Sequence, residues 1–579
     1  SSGVSPDQAQ QLAQPAFWQA AQEGVGRLDP KQWPAHLGFE EIKGIGSYAT
    51  DYEKPVEIMM GLVGLVLLIA CTNVALIILA RNSARTREFA VRMASGASSV
   101  RLFRQLLLES SLLVVAGAGF GWGLAVEGTR ILAAWANIDS GLAPDLRVLL
   151  FTLVIGVAAT MAFGLAPLWS TRQIEVEQAL RSASQTASQS RSKIRSGNLA
   201  IAFQVAMCLS LLVASSLTVR TLLNYEHIDL GMRANNLFVF DVAPQGLSSN
   251  AQAFRFYERL LARLTEVPGV QSASLVRTRP GSGWEHTSGI TVDGVDIRHD
   301  VAPHTSVYHN SVGPEFFRTM GIPILQGRGI TEADSSESHQ VAVVSESFAN
   351  TFLRNGALGH RLGDRPGAEI VGVVKDSRVA RARETDLPAV YYPLYQTDLL
   401  GQITVEVRSS GNPVALLPVM RRAVHDLDPN LPLQDPMTEA TQFAETYVTP
   451  RLFARLALGF GLLAILLVAT GLYGTLSYRV QRRTNEIGVR MALGAPRASV
   501  LTMVVRESVL IFLIGFSAGL PLAWAVAALL RAQLYGLSYL DPISFLVATA
   551  VTLSVSLGAS FLPARRAAKV DPMVALRYE

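Results

Sequence analysis

Two short runs of the chain combine a carboxylate, a guanidinium, a thioether and a glycine at one fixed spacing. Around Arg92 the sequence reads EFAVRMASGA and around Arg490 it reads EIGVRMALGA, so Glu88, Arg92, Met93 and Gly96 recur as Glu486, Arg490, Met491 and Gly494. Glutamate four residues ahead of arginine is the favourable order on a helix surface and adds about 0.3–0.5 kcal/mol per pair. The glycine then stops the helix and turns the chain. The chemistry such an element offers is recognition. A topology signal needs only positive charge, whereas here Glu, Met and Gly return with the Arg, which points to docking against a cytoplasmic partner.

Other reactive residues are sparse. His299, His304 and His309 follow at five-residue intervals, flanked by His286 and His339, but that interval matches no standard zinc spacing, so these read as solvated histidines with no metal. The chain holds no GxSxG, no HExxH and no GxxxxGK[ST], so it is not expected to be an enzyme or to hydrolyse ATP itself. Cys71 and Cys208 both lie in apolar segments, which leaves no disulfide framework for the water-exposed parts. Glu109 and Glu507 open their helices, where the helix dipole favours a carboxylate.

The elements that must position the repeated runs are membrane spans. Mean hydropathy is positive and only 17% of residues are charged, a composition that excludes an ordinary soluble protein. Seven runs approach the roughly 20 apolar residues a crossing requires: 58–79, 106–126, 148–169, 199–219, 456–476, 503–529 and 544–562. Arginine and lysine crowd the loops after the first, third and fifth runs and the tail, including Arg85, Arg92, Arg181, Arg482, Arg490 and Arg565, so these segments face the cytoplasm and the segment 220–451 lies outside. Within that segment VAVVS at Val341, EIVGVV at Glu369 and ITVEV at Ile403 read as strands, and the runs from Ala253 and Pro413 as amphipathic helices. Gly117 and Gly121, repeated as Gly515 and Gly519, are small residues four apart that allow helices to approach closely in lipid. Apart from Thr72, Asn73, Thr470 and Ser517 the spans offer little polarity, which suits relayed movement better than a hydrophilic conduit.

The expected organisation follows from the repeat. Residues 1–56 read as the remnant of a first extracytoplasmic domain and 57–181 as a first permease region of three spans. A Ser/Gln-rich cytoplasmic linker over 182–198 and a transmembrane helix over 199–220 come next, then an α+β extracytoplasmic domain over 221–451 and a second permease region of three spans over 452–579. LDPKQWP from Leu28 echoes LDPNLPL from Leu427, so a complete duplication would place a further span and most of another outside domain ahead of Ser1.

With the terminal PARRAAKVDPMVALR from Pro563, its weaker copy PLWSTRQIEVEQALR from Pro167, and VGPEFFRTMGIPILQGR, VAVVSESFA, EIVGVVKD and AVYYPL in the outside segment, the chain resembles the MacB/FtsX-like permeases of ABC transporters. In plan it resembles in particular the duplicated permeases common in acidobacteria. The resemblance implies an α-helical inner-membrane protein of two FtsX-like halves with a MacB-like periplasmic core domain. It also implies that Glu88, Arg92, Met93 and Gly96, with Glu486, Arg490, Met491 and Gly494, couple to cytoplasmic ABC ATPase subunits that bind the ATP. No cofactor and no nucleic acid are implied; the lipid bilayer is, and a periplasmic adaptor or outer-membrane component is compatible. The macrolide exporter carries its ATPase on the same polypeptide, which this chain does not, and duplicated permeases often occur without an obvious ATPase. Export or mechanotransmission powered in trans is therefore the leading expectation, and a non-transporting signalling protein the alternative.

Overall fold

The structure, a computed structural model, describes residues 14–15, 17, 48–84, 92, 99–136, 145–164, 187–293, 295–296, 306–353, 356–363, 367–380, 387–397, 401–482, 484–493 and 496–568. The chain divides into two compact units, Ser1–Leu68 and Ile69–Glu579. Ahead of the outside domain come helices α1 (Tyr48–Ala84), α2 (Ser99–Ala136), α3 (Leu146–Gly164) and α4 (Ala187–Glu226). The outside domain contains α5 (Asn250–Thr265), α6 (Leu417–Leu427) and α7 (Glu439–Glu445). After it follow α8 (Val448–Arg482), α9 (Thr484–Ala492), α10 (Arg497–Leu530) and α11 (Pro542–Ala567).

Among the described residues five helices, within α1, α4, α8, α10 and α11, are long and apolar enough to cross a membrane, against the seven expected. The two expected crossings at 106–126 and 148–169 fall on α2 and α3, which are helical but are not among the five. In α2 several side chains between Ser99 and Val115 lie outside those described, so only part of the expected crossing enters that count. Helix α3 is apolar over Leu146–Gly164, but its described side chains run without a break only to Ile155, and residues 165–169 of the expected crossing lie outside the described residues.

Helices α4, α8, α10 and α11 pack into a bundle in which α4 touches the other three, while α2 and α3 pack on each other. Of the apolar window of α4, 72% is buried, against 28%, 33% and 22% for α8, α10 and α11, so α4 is the central rod. The outer faces of its neighbours show Leu462, Leu466, Leu513, Trp524 and Leu546, the side chains lipid tails would cover. Pro542 begins α11 at the position where a missing N–H costs nothing, and Asp541 caps it by accepting from Ser544 N at 2.8 Å.

The outside domain is built on one mixed sheet. Its main strands are β1 (Leu237–Val242), β2 (Val270–Val276), β3 (Val307–Val312), β4 (Val341–Ser345), β5 (Ala368–Val374), β6 (Ala389–Pro393), β7 (Ile403–Ser409) and β8 (Gln434–Thr438). They lie in the order β8-β1-β7-β2-β3-β6-β4-β5, with two-residue strands at Arg361, Thr291 and Val295 beyond β5. Strands β4, β5 and β7 are the expected VAVVS, EIVGVV and ITVEV runs. The pairs β1/β7 and β7/β2 are antiparallel, β3/β6 and β4/β5 parallel; β2 meets β3 only at Val276↔Val312. Helix α5 covers one end because Ala253, Phe256, Tyr257, Leu260 and Leu264 recur on one face and Ser249 caps it by accepting from Gln252 N. Those side chains share a core with Phe240, Val405, Val407 and Met420.

Candidate functional site

Helix α9 places half of the repeated recognition element. Ile487 is buried and Met491 half-buried, one turn apart; Ile487 and Val500 form a small core on which Val480, Met491 and Met503 pack, which holds α9 against the start of α10. This leaves Val489 and Arg490 exposed, with Leu493 just beyond at 83% exposure. The guanidinium of Arg490 turns back, its Nη1 lying 3.2 Å from Met503 Sδ. In the first copy Arg92 Nη1 donates to Gln105 Oε1 at 3.2 Å, and Gln105 Nε2 donates to Glu109 Oε1 at 3.2 Å. In the register of the repeat, Gln105 is the counterpart of Met503. Both arginines therefore reach the same place on the following helix, although the partner there has changed from an amide to a thioether. Each brings a guanidinium to the helix that follows it, a role that spacing alone had not indicated. Glu88, Met93, Gly96 and Gly494 lie outside the described residues, as does the side chain of Glu486, which occupies a helical position in α9.

The two glycine pairs are placed differently. A Cβ on Gly515 would stand 2.6 Å from Ala202 O, and one on Gly519 would stand 2.8 Å from Ala206 Cα, so α10 rests on the backbone of α4 at both positions. A Cβ on Gly117 or Gly121 meets nothing within 4 Å.

At the outer end of the bundle, α4 and α8 join the outside domain through a ring cluster. Tyr225 at the end of α4 stacks on Tyr535 with centroids 4.5 Å apart and on Tyr447 at 5.8 Å, and the Arg451 guanidinium lies 5.1 Å over Tyr447. Asn224 Nδ2 donates to Tyr535 O at 3.0 Å, and Arg220 forms an ion pair with Asp541, the cap of α11. A cleft of about 620 Å³ opens beside this junction, lined among others by Tyr225, Asp229, Met232, Arg233, Phe443 and Tyr447. Its wall is stiffened by Arg408, which donates to the carbonyls of Thr319, Asn235 and Arg233. The sequence signal for this junction is faint, a tyrosine at each of three chain-distant helix ends.

A second feature missed in the sequence is a buried charge cluster just above. Glu406 in β7 and Glu439 at the start of α7 are both fully buried, and none of their carboxylate oxygens has a hydrogen-bond partner. Arg279, 7% exposed, stands 3.8 Å from Asp241 and donates to Asp435 O. Asp241 accepts from Gln402 and Thr404. Burial pushes Glu406 up to about 8, with Arg279 opposing and Asp241 adding to the rise. Burial, then the neighbouring Glu406, raises Glu439 well above the ordinary range.

Of the histidines, His309 is half-buried on β3, with its ring 6.0 Å from that of His286 and stacked on Tyr392. Burial, then His286, lowers it to about 4. His299 and His304 lie outside the described residues, and among the described residues no group of three or more His, Cys, Asp or Glu could hold a metal.

Comparison with known proteins matches this architecture. The FtsX-like permease C-terminal family model matches residues 60–176 and again 458–572, and the MacB-like periplasmic core domain model matches 199–422. The macrolide export ATP-binding/permease protein MacB of Escherichia coli is 30% identical over 291 residues, 47% of this chain and 43% of its own length. MacB 1/2 of Paracoccus denitrificans is 27% identical over 334 residues, 54% of this chain and 48% of its own. YvrN, an uncharacterized ABC transporter permease of Bacillus subtilis, is 25% identical over 354 residues, 57% of this chain and 81% of its own. The chain spans about half the length of the two MacB relatives.

Proposed function

Because this chain belongs to the MacB/FtsX-like family of ABC transporter permeases, a multi-pass membrane protein with an extracytoplasmic domain, we propose that it is the permease subunit of an inner-membrane ABC assembly powered in trans. A separate cytoplasmic ATPase binds the ATP and engages the two repeated elements, Glu88–Gly96 and Glu486–Gly494. Arg92 and Arg490 hold each elbow in shape, and in α9 the exposed Val489 and Leu493 offer the apolar contact. The observation that carries this reading is the route of α4 and α8, which join the bundle to the tyrosine junction at the outside domain, with the basic loops assigning their far ends to the cytoplasm.

Relayed movement is favoured over a water-filled path by how the spans use their polar groups. Ser210, Thr470, Ser508, Ser517, Thr552 and Ser556 each donate to the carbonyl four residues back in their own helix, so their protons are satisfied without water, which supports the relay reading. The reading is tested by Arg92→Glu combined with Arg490→Glu in nanodiscs containing the permease and its cognate ATPase. Hydrolysis is expected to fall to the level of the ATPase alone while membrane insertion is unchanged. Full stimulation in the double variant counts against the coupling role, and if no host ATPase binds the chain at all, the non-transporting signalling alternative takes its place.

A further inference from the structure

Within the membrane part, one polar side chain of the first half enters the second. Along α1 a single stripe is buried, Leu62, Val66, Ile69 and Asn73, while Met60, Val63, Leu67, Leu68 and Val74 are exposed. Asn73 ends this stripe inside the span Lys54–Leu76. Its amide nitrogen donates to Leu467 O in α8 at 2.6 Å, and its amide oxygen accepts from Gln204 Nε2 in α4 at 2.7 Å. Gln204 is fully buried. One amide therefore ties α1 to two helices of the bundle, at a depth where an unpaired polar group finds no water.

The room for that amide is made by a glycine. A Cβ on Gly471 would stand 2.2 Å from Asn73 Oδ1, 3.0 Å from Gln204 Oε1 and 3.2 Å from Gln204 Nε2. In the register that pairs Arg92 with Arg490, Asn73 pairs with Gly471 and Ile69 with Leu467. Equivalent positions of the duplication are thus in contact, which is how two-fold related partners meet at their axis. The residues at that meeting point are nevertheless different. Asparagine on both sides would overlap, and glycine on both sides would leave the Leu467 carbonyl and the Gln204 amide short of a partner.

We propose that Asn73, Gln204 and Gly471 form a pairing lock within the membrane, through which the first half of the chain selects the second half as its partner across their pseudo-two-fold axis. The inference deepens the two-halved permease reading and rests on it. A buried amide facing a glycine is worth more as selection than as stability, since every misregistered or like-with-like pairing strands a polar group or creates a clash. The lock also explains why one helix position repeated in both copies carries different residues.

The test uses the full chain with a C-terminal tag and a protease site inserted between Ser182 and Thr186, cut after purification in detergent. In the parent protein the N-terminal fragment is expected to stay on the tagged fragment. Asn73→Leu, which keeps the volume and removes the amide, and Gly471→Asn, which adds a second one, should each lower the retained fraction by about three- to tenfold. The exchange Asn73→Gly with Gly471→Asn returns one amide and one glycine beside Gln204 and should recover most of the retention. Unchanged retention in both single variants overturns the lock, and so does an exchange variant no better than the worse single, whether that single fails by dissociating or by aggregating. The readout is fragment association, so it stands apart from any ATPase measurement.

Discussion

Glu406 lies in the middle of β7 and Glu439 begins α7, and no donor reaches their carboxylate oxygens, while Asp241 beside Arg279 adds a further negative charge. Two buried acids facing one guanidinium hold protons that the unfolded chain releases at ordinary carboxylate pH. The folded state binds more protons than the unfolded state from about 4.5 upward, so this contribution to stability is fully present below that range and is lost as pH rises through about 8. Thermal unfolding of the whole protein in nanodiscs should therefore show a Tm falling by roughly 5 °C between pH 6 and pH 9. Glu439→Gln keeps the shape, removes the titration and should flatten the slope; a slope that persists in both Glu439→Gln and Glu406→Gln would assign it elsewhere. The ITVEV run announced its strand plainly but not the fate of its glutamate, because alternation predicts a solvated face and here the whole strand from Ile403 to Val407 is buried. What covers that face, Arg279 and α7, comes from chain-distant segments that a one-dimensional reading does not bring together.

At the level of elements, α10 and α2 are copies with opposite surroundings. Gly515 and Gly519 let α10 press on the α4 backbone, so Gly519→Leu forces the helices apart at a cost of about 1–3 kcal/mol. Gly121→Leu, in the matching place on α2, points into open space and should change stability by less than about 0.5 kcal/mol. Thermal unfolding of the two variants side by side measures that asymmetry, and equal losses would refute it. Strands β4, β5 and β7 and helices α5 and α6 were legible because their periodicity is strong and their caps are local. The span count was less legible. The expected crossings on α2 and α3 run partly over side chains outside those described, so the count of five covers only part of either.

On the scale of the whole molecule, the charge rule predicts that α9 lies in the cytoplasm, opposite the sheet domain. Cysteine labelling checks this directly, because Cys71 and Cys208 sit within spans. An impermeant maleimide should label Ser336→Cys in spheroplasts, and Ser499→Cys only once the membrane is opened; the reverse pattern would invert the topology. Between those two compartments stands α4, 40 residues without a proline, about 60 Å from end to end. A rod of that kind has no joint in which a displacement could dissipate: its hydrogen bonds fix its length, and most of its flank is gripped by neighbours. If the proposed relay holds, a push at its far tip reaches Tyr225 nearly undiminished, and the travel of the outer rings is set by that push and not by compliance along the way.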